Sequence, residues 1–136
     1  MEKYVHKVQY YETDKMGITH HSNYIRWMEE ARVKFLDNIG YGYAKLEADG
    51  ISSPVIGIEC SYKSATTFDD EVEITTLIEE YTGVKLAINY TMRNIKNGKE
   101  VLQGKSRHCF TDENGRPINL KKKFPELDSK LRELLG

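Results

Sequence analysis

Cysteine is scarce in this chain of 136 residues: there are two, Cys60 and Cys109. Neither has metal-ligand spacing, and two thiols make no disulfide framework, so both read as half-buried strand residues of a protein kept in a reducing compartment. No charge of one sign dominates. Twenty Lys and Arg face 21 Asp and Glu, a formal net charge of −1, which removes the electrostatic argument for nucleic acid or an anionic membrane surface. No apolar run approaches membrane-spanning length. The opening Met1-Glu2-Lys3-Tyr4 is charged and then alternates, which is no secretory signal. The expectation is a cytoplasmic protein. The motifs G-x-S-x-G and G-x-x-x-x-G-K-[ST] are missing, so serine-nucleophile and phosphate-loop chemistry are set aside. Repeats, linkers and low-complexity segments are missing too, and the length fits one domain, residues 1–136.

What remains is an ordinary globular composition, 39% apolar and 30% charged. Residues 3–12 read as a first strand rich in β-branched and aromatic residues, with Tyr4, His6, Val8 and Tyr10 on one face. Residues 13–20 form a loop in which Gly17 supplies an unusual backbone angle. From Ser22 to about Asn38 the period changes. Tyr24, Trp27, Met28, Ala31 and Phe35 form a helical stripe, with Ser22 as N-cap and Gly40 as C-terminal stop. Glu29 and Arg32 read as an ion pair on this helix's surface. A short helix is expected over Tyr43 to Ala48.

The rest reads as four strands, 53–64, 71–80, 84–92 and 99–111, joined by tight turns at Tyr81-Thr82-Gly83 and Asn97-Gly98. Lys121-Lys122-Lys123 reads as a solvated connection before a C-terminal helix from Phe124 to Leu135. Tight hairpins make the sheet antiparallel, and a broad apolar helix stripe needs that sheet as its cover. The expected class is α+β.

The segment from Tyr10 to Tyr24 holds the chemistry. Asp14, in Thr13-Asp14-x-x-Gly17, is by its residues alone an Asx-turn aspartate. It also stands just ahead of the strongest helix, where backbone N–H groups favour an oxyanion. His20 and His21 are adjacent and lack the i, i+4 spacing of a metal pair, and His6 and His108 read as packing or surface residues.

The pattern Tyr11-x-Thr13-Asp14-x-x-Gly17-Ile18-x-x-His21-x-x-Tyr24-x-x-Trp27-x-Glu29-x-Ala31-Arg32, continued by Tyr62 and Phe68-Asp69-Asp70-Glu71, resembles the hotdog-fold acyl-CoA thioesterases. Within them it is similar to the 4-hydroxybenzoyl-CoA thioesterase family and its Tol-Pal-associated relatives. The resemblance implies a hotdog fold: a curved antiparallel five-stranded sheet wrapped around a long central helix, plus a C-terminal helix. It also implies hydrolysis of an acyl thioester without metal or other cofactor, coenzyme A being part of the substrate. The family's catalytic aspartate falls on Asp14, as nucleophile or general base, and its substrate-orienting position on His21.

Around that pair, the oxyanion donor is expected to be backbone N–H, either around His21 to Asn23 or at Gly17 and Ile18 in the preceding loop. Gly17, Ile18 and Ser22 are substrate-binding candidates, with Tyr24 lining an acyl pocket. Lys121–Lys123 and Arg107 are candidates for coenzyme A phosphates. The expected partners are acyl-CoA, acyl carrier protein as another thioester source, and a second copy of the chain in a homodimer or homotetramer with the site at the interface. Thr19, His20, Ala65 and Thr67 depart from the family's usual residues. A non-catalytic acyl-CoA-binding module and a hotdog hydratase or dehydratase are the alternatives.

Overall fold

The structure is a computed structural model that describes residues 2–135. Its elements run β1 (Glu2–Lys7), a 3-10 turn (Tyr10–Glu12), α1 (Ser22–Asn38), α2 (Tyr43–Ala48), β2 (Val55–Tyr62), β3 (Glu71–Tyr81), β4 (Lys85–Asn94), β5 (Glu100–Cys109), α3 (Leu120–Lys123) and α4 (Pro125–Glu133). The five strands form one antiparallel sheet in the order β1-β3-β4-β5-β2. α1 crosses its inner face and buries Tyr24, Trp27, Met28, Ala31 and Phe35. On the sheet side Val72, Ile74 and Ile78 of β3 and Leu86, Ile88, Tyr90 and Met92 of β4 meet that stripe, as strand alternation requires. Register shifts with an extra residue in β2, β3 and β5 bend the strands. The architecture is the expected hotdog arrangement.

Four local expectations need correction. β2 does not continue into a hairpin with β3. It pairs with β5 at the far edge, and the chain crosses back through residues 63–70. The β4–β5 turn takes residues 95–99 rather than two, because Asn94 captures the N–H of Gly98 on its carbonyl and that of Lys96 on its side chain. Lys121–Lys123 lie in a one-turn helix, α3, capped by Asn119, whose side chain accepts the Lys121 N–H. Arg32 keeps its ion pair with Glu29 at the long end of the range, but it is not a surface residue. It is 6% exposed, and its guanidinium donates to Tyr43 Oη at 3.0 Å and Tyr90 Oη at 3.2 Å, with Glu29 4.0 Å away.

That buried guanidinium starts a polar chain: Tyr90 Oη lies 2.7 Å from Ser106 Oγ, which lies 2.8 Å from His108 Nε2. His108 Nδ1 is buried without a hydrogen-bond partner. Burial first, and the Arg32 charge second, push the His108 imidazole down to about 4. The Ser53 backbone opposes them only weakly, short of a full hydrogen bond. An unfolded histidine takes its proton near the ordinary value of 6.5, and the folded one refuses it until about 4. Stability should therefore fall as pH drops from 6.5 to 4, by about 3 kcal/mol from this group. Urea unfolding at pH 7 and pH 4.5 should show this loss in the wild type and a clearly smaller one in His108→Gln. Equal losses would discount the buried imidazole.

No helix among the described residues is long and apolar enough to cross a membrane.

Candidate active site

The expected first strand stops at Lys7, and the reason is Glu12. Its side chain folds back into the protein. Oε1 accepts the Gln9 N–H and His6 Nε2–H, both at 2.8 Å, and Oε2 accepts the Trp27 indole N–H at 2.7 Å. Three donors in that arrangement close Tyr10–Glu12 into a 3-10 turn. Burial alone would push the Glu12 carboxyl up; the donors from Gln9, His6 and Trp27 outweigh it and hold the group below the ordinary carboxylate range. His6 is buried between two carboxylates, its Nδ1 3.0 Å from Glu30 Oε2, and its ring stacks on Trp27 at 4.4 Å.

Sequence reasoning missed Glu12. The signal was present: strand alternation puts residue 12 on the same face as His6 and Val8, and a buried indole N–H needs an acceptor.

Beyond Glu12 the chain makes a small closed loop. Asp14 Oδ1 accepts the Met16 N–H at 2.8 Å, its carbonyl accepts the Gly17 N–H at 2.9 Å, and its own N–H donates to the Ile18 carbonyl at 2.9 Å. Gly17 takes φ +78° to make that turn, a conformation glycine adopts without steric penalty. This is the Asx-turn that the residues suggest. It occupies one oxygen only. Oδ2 has no protein donor among the described residues, and Asp14 is half-buried.

The start of α1 is held differently from the expectation. Ser22 is the first helical residue and not the cap. His21 is the N-cap and makes no side-chain cap bond, while the imidazole of His20 takes the Ser22 N–H on Nδ1 at 3.2 Å and lies 2.8 Å from Ser22 Oγ. The N–H groups of Asn23 and Tyr24 donate to the carbonyls of His20 and His21 at 3.0 and 3.3 Å. Among the described residues, no protein acceptor takes the N–H of Ile18 or of His21. Gly17 offers no free N–H, since its own goes to Asp14.

Ile18 and His21 line a cleft of about 320 Å³ together with Thr19, Tyr24, Tyr62 and Lys63. The Tyr62 ring stands edge-on to Tyr24 at 5.7 Å and to His21 at 6.4 Å. Behind the wall, Thr66 Oγ1 joins Tyr24 Oη at 3.1 Å to Thr19 Oγ1 at 2.7 Å.

The structure thus brings His21, Ile18 and Tyr24 to one cavity and leaves Asp14, Gly17 and Ser22 off its lining, on the adjoining loop and helix start. The cation on this wall is Lys63. Arg107 is paired with Glu59 at 2.6 Å, and Lys123 lines a separate cavity beside α2 and α4.

A sequence profile described as the thioesterase-like superfamily matches residues 8–135. The Bacillus subtilis (strain 168) protein YneP, named as a candidate acyl-CoA thioesterase, is 35% identical over 120 residues, covering 88% of this chain and 87% of its own. The acyl-CoA thioester hydrolase YbgC of Escherichia coli O157:H7 is 28% identical over 91 residues, covering 67% of this chain and 68% of its own. The solved structure of the DHNA-CoA thioesterase from Staphylococcus aureus superposes with a TM-score of 0.90 at 32% identity, covering 97% of this chain and 91% of that one.

Proposed function

The chain belongs to the thioesterase-like superfamily, and from that premise we propose that it hydrolyses an acyl thioester of coenzyme A to the free acid and the thiol. One observation carries the reading: Asp14 keeps a carboxylate oxygen without a protein donor on the loop that adjoins a cleft, and the N–H groups of two residues lining that cleft, Ile18 and His21, are free as well. The two N–H groups suit the carbonyl oxygen, whose negative charge grows as the tetrahedral intermediate forms. Asp14 then either attacks the carbonyl carbon itself or takes the proton of a water that attacks. The C–S bond breaks and the thiolate departs and is protonated. When water attacks, this frees the acid directly; when Asp14 attacks, it leaves an Asp14–acyl anhydride that water then cleaves to return the Asp14 carboxylate and the free acid. No metal or other cofactor is needed, and we place the enzyme in the cytoplasm.

His21 is assigned the orientation of the thioester. A thiolate leaves readily without strong acid assistance, so His21→Ala should lower kcat by roughly 10- to 100-fold, less than loss of Asp14 does. An equal or larger loss would reverse that ranking. Tyr24 and Tyr62 are assigned to the acyl group and Lys63 to the anionic end of coenzyme A, with the acyl carrier protein thioester as the competing substrate source.

The two sheet edges support a second copy of the chain as partner. β1 is short and carries Lys3 and Lys7, paired with Glu73 at 3.9 Å and Asp69 at 3.0 Å. β2 has eight residues and exposes Val55, Ile56 and Tyr62. Charged edges resist pairing and apolar ones invite it. Antiparallel pairing of β2 with its copy makes a homodimer and lays the Tyr62 end, with the cleft, beside the start of the partner's strand.

Thiol release from short-chain, long-chain and aromatic acyl-CoA tests the reading. Turnover of at least one with thiol release is expected. Binding without release would make the chain an acyl-CoA-binding module, and chemical change of an enoyl or hydroxyacyl substrate without release would make it a hydratase or dehydratase.

A further inference from the structure

We propose that Glu12 is the positioning residue of the hydrolytic site, fixing the distance between Asp14 and the N-terminus of α1. The inference rests on the hydrolase reading above. Glu12 is 4% exposed, two residues from Asp14, and it reaches both halves of the site. Through its side chain it is clamped to β1 by His6 and to the second turn of α1 by Trp27. Through its carbonyl it accepts the N–H of His20 at 2.8 Å and the side-chain amide of Asn23 at 3.0 Å. Those two residues flank His21. One residue thus holds the chain that leads into the Asp14 turn and the helix start that carries the free N–H.

The chemistry of the carboxylate suits this task. It presents two acceptor oxygens and no donor, and here Oε1 serves two donors and Oε2 a third. A glutamine is the same size but must turn an NH2 group toward at least one of these donors, leaving donor facing donor. The clamp is then released on one side, and the Tyr10–Glu12 turn loses its orientation while the apolar core around it keeps its volume. A misplacement on the order of 1 Å between catalytic carboxylate and oxyanion donors can cost roughly 10²-fold in rate.

The test compares wild type, Glu12→Gln, Asn23→Ala and Asp14→Asn on the best acyl-CoA of the panel. It is run well below each unfolding midpoint, with and without trimethylamine oxide to restore stability. Glu12→Gln should remain folded by circular dichroism and lose roughly 10- to 100-fold in kcat. Its KM should stay near the wild-type value, its Trp27 emission should shift, and the osmolyte should not restore its rate. Asn23→Ala, at a half-buried position outside the core, opens the other end of the clamp and should lose about 10-fold in kcat. It decides the matter should Glu12→Gln not fold.

Wild-type kcat in either folded variant, or full recovery of Glu12→Gln with the osmolyte, overturns the positioning role and leaves the hydrolase reading standing. An inactive wild type, or an Asp14→Asn variant with wild-type turnover, overturns the hydrolase reading and the positioning role with it.

Discussion

Asp14→Asn should lower kcat for thioester hydrolysis by roughly 10²–10⁴-fold while leaving the fold and KM close to wild type. The local geometry makes this substitution unusually clean. The hydrogen bond that shapes the loop is the Met16 N–H to Oδ1 at 2.8 Å, and an asparagine side-chain oxygen accepts it equally well, as asparagine does in Asx-turns generally. The Gly17 and Ile18 backbone bonds around residue 14 do not involve the side chain at all. What the amide cannot supply is the second, negatively charged oxygen, which neither attacks a carbonyl nor accepts a proton once it has become NH2. Stability should move by no more than about 0.5 kcal/mol, as for other surface substitutions. Steady-state kinetics with thiol detection, together with a urea unfolding curve, check both halves. Near-normal turnover in a folded Asp14→Asn protein would reduce Asp14 to the turn residue that its Oδ1 contact already makes it.

The second large effect is expected at the sheet edge. Ile56 is 54% exposed and stands at a register shift of β2, without a partner residue on β5. Lysine there should leave the single chain folded, because the side chain supports nothing inside it. Placed on an edge, lysine is the device by which natural sheets discourage pairing. Ile56→Lys is therefore expected to sediment as a monomer where the wild type sediments as a dimer. In the proposed dimer the cleft lies beside the partner's strand, so turnover should fall on the order of 10²-fold with it. A fully active monomer would detach the site from the interface, and a wild type that is already monomeric would remove the dimer.

The sequence made α1 and α2 legible at their boundaries, since a 3.6-residue stripe of large apolar side chains ending at Gly40 leaves little freedom. Strand positions and inward faces were legible in β3 and β4 for the same kind of reason. The strand order was not. Alternation says which face a residue takes, and it says nothing about which strand lies alongside, so the pairing of β2 with β5 is visible only in the structure.

The site divides along the same line. Thr13-Asp14-x-x-Gly17 announces its turn locally. Glu12 and Arg32 do not, because a charged side chain reads as solvated until its partners are known, and those partners sit 15 residues away at Trp27 and 58 away at Tyr90. The contact of His20 escaped for a smaller reason: serine is a common cap, and only the geometry shows Ser22 inside the helix with its N–H taken by the imidazole.

The most direct measurement is turnover of acyl-CoA in water enriched in oxygen-18, with free thiol and labelled carboxylic acid both quantified. Equal amounts of the two, many per subunit, with the label in the acid and the whole signal lost in Asp14→Asn, is the expected result. Substrate that binds in the Tyr24–Tyr62 cleft and is recovered intact, with neither thiol nor labelled acid above background, would contradict the account.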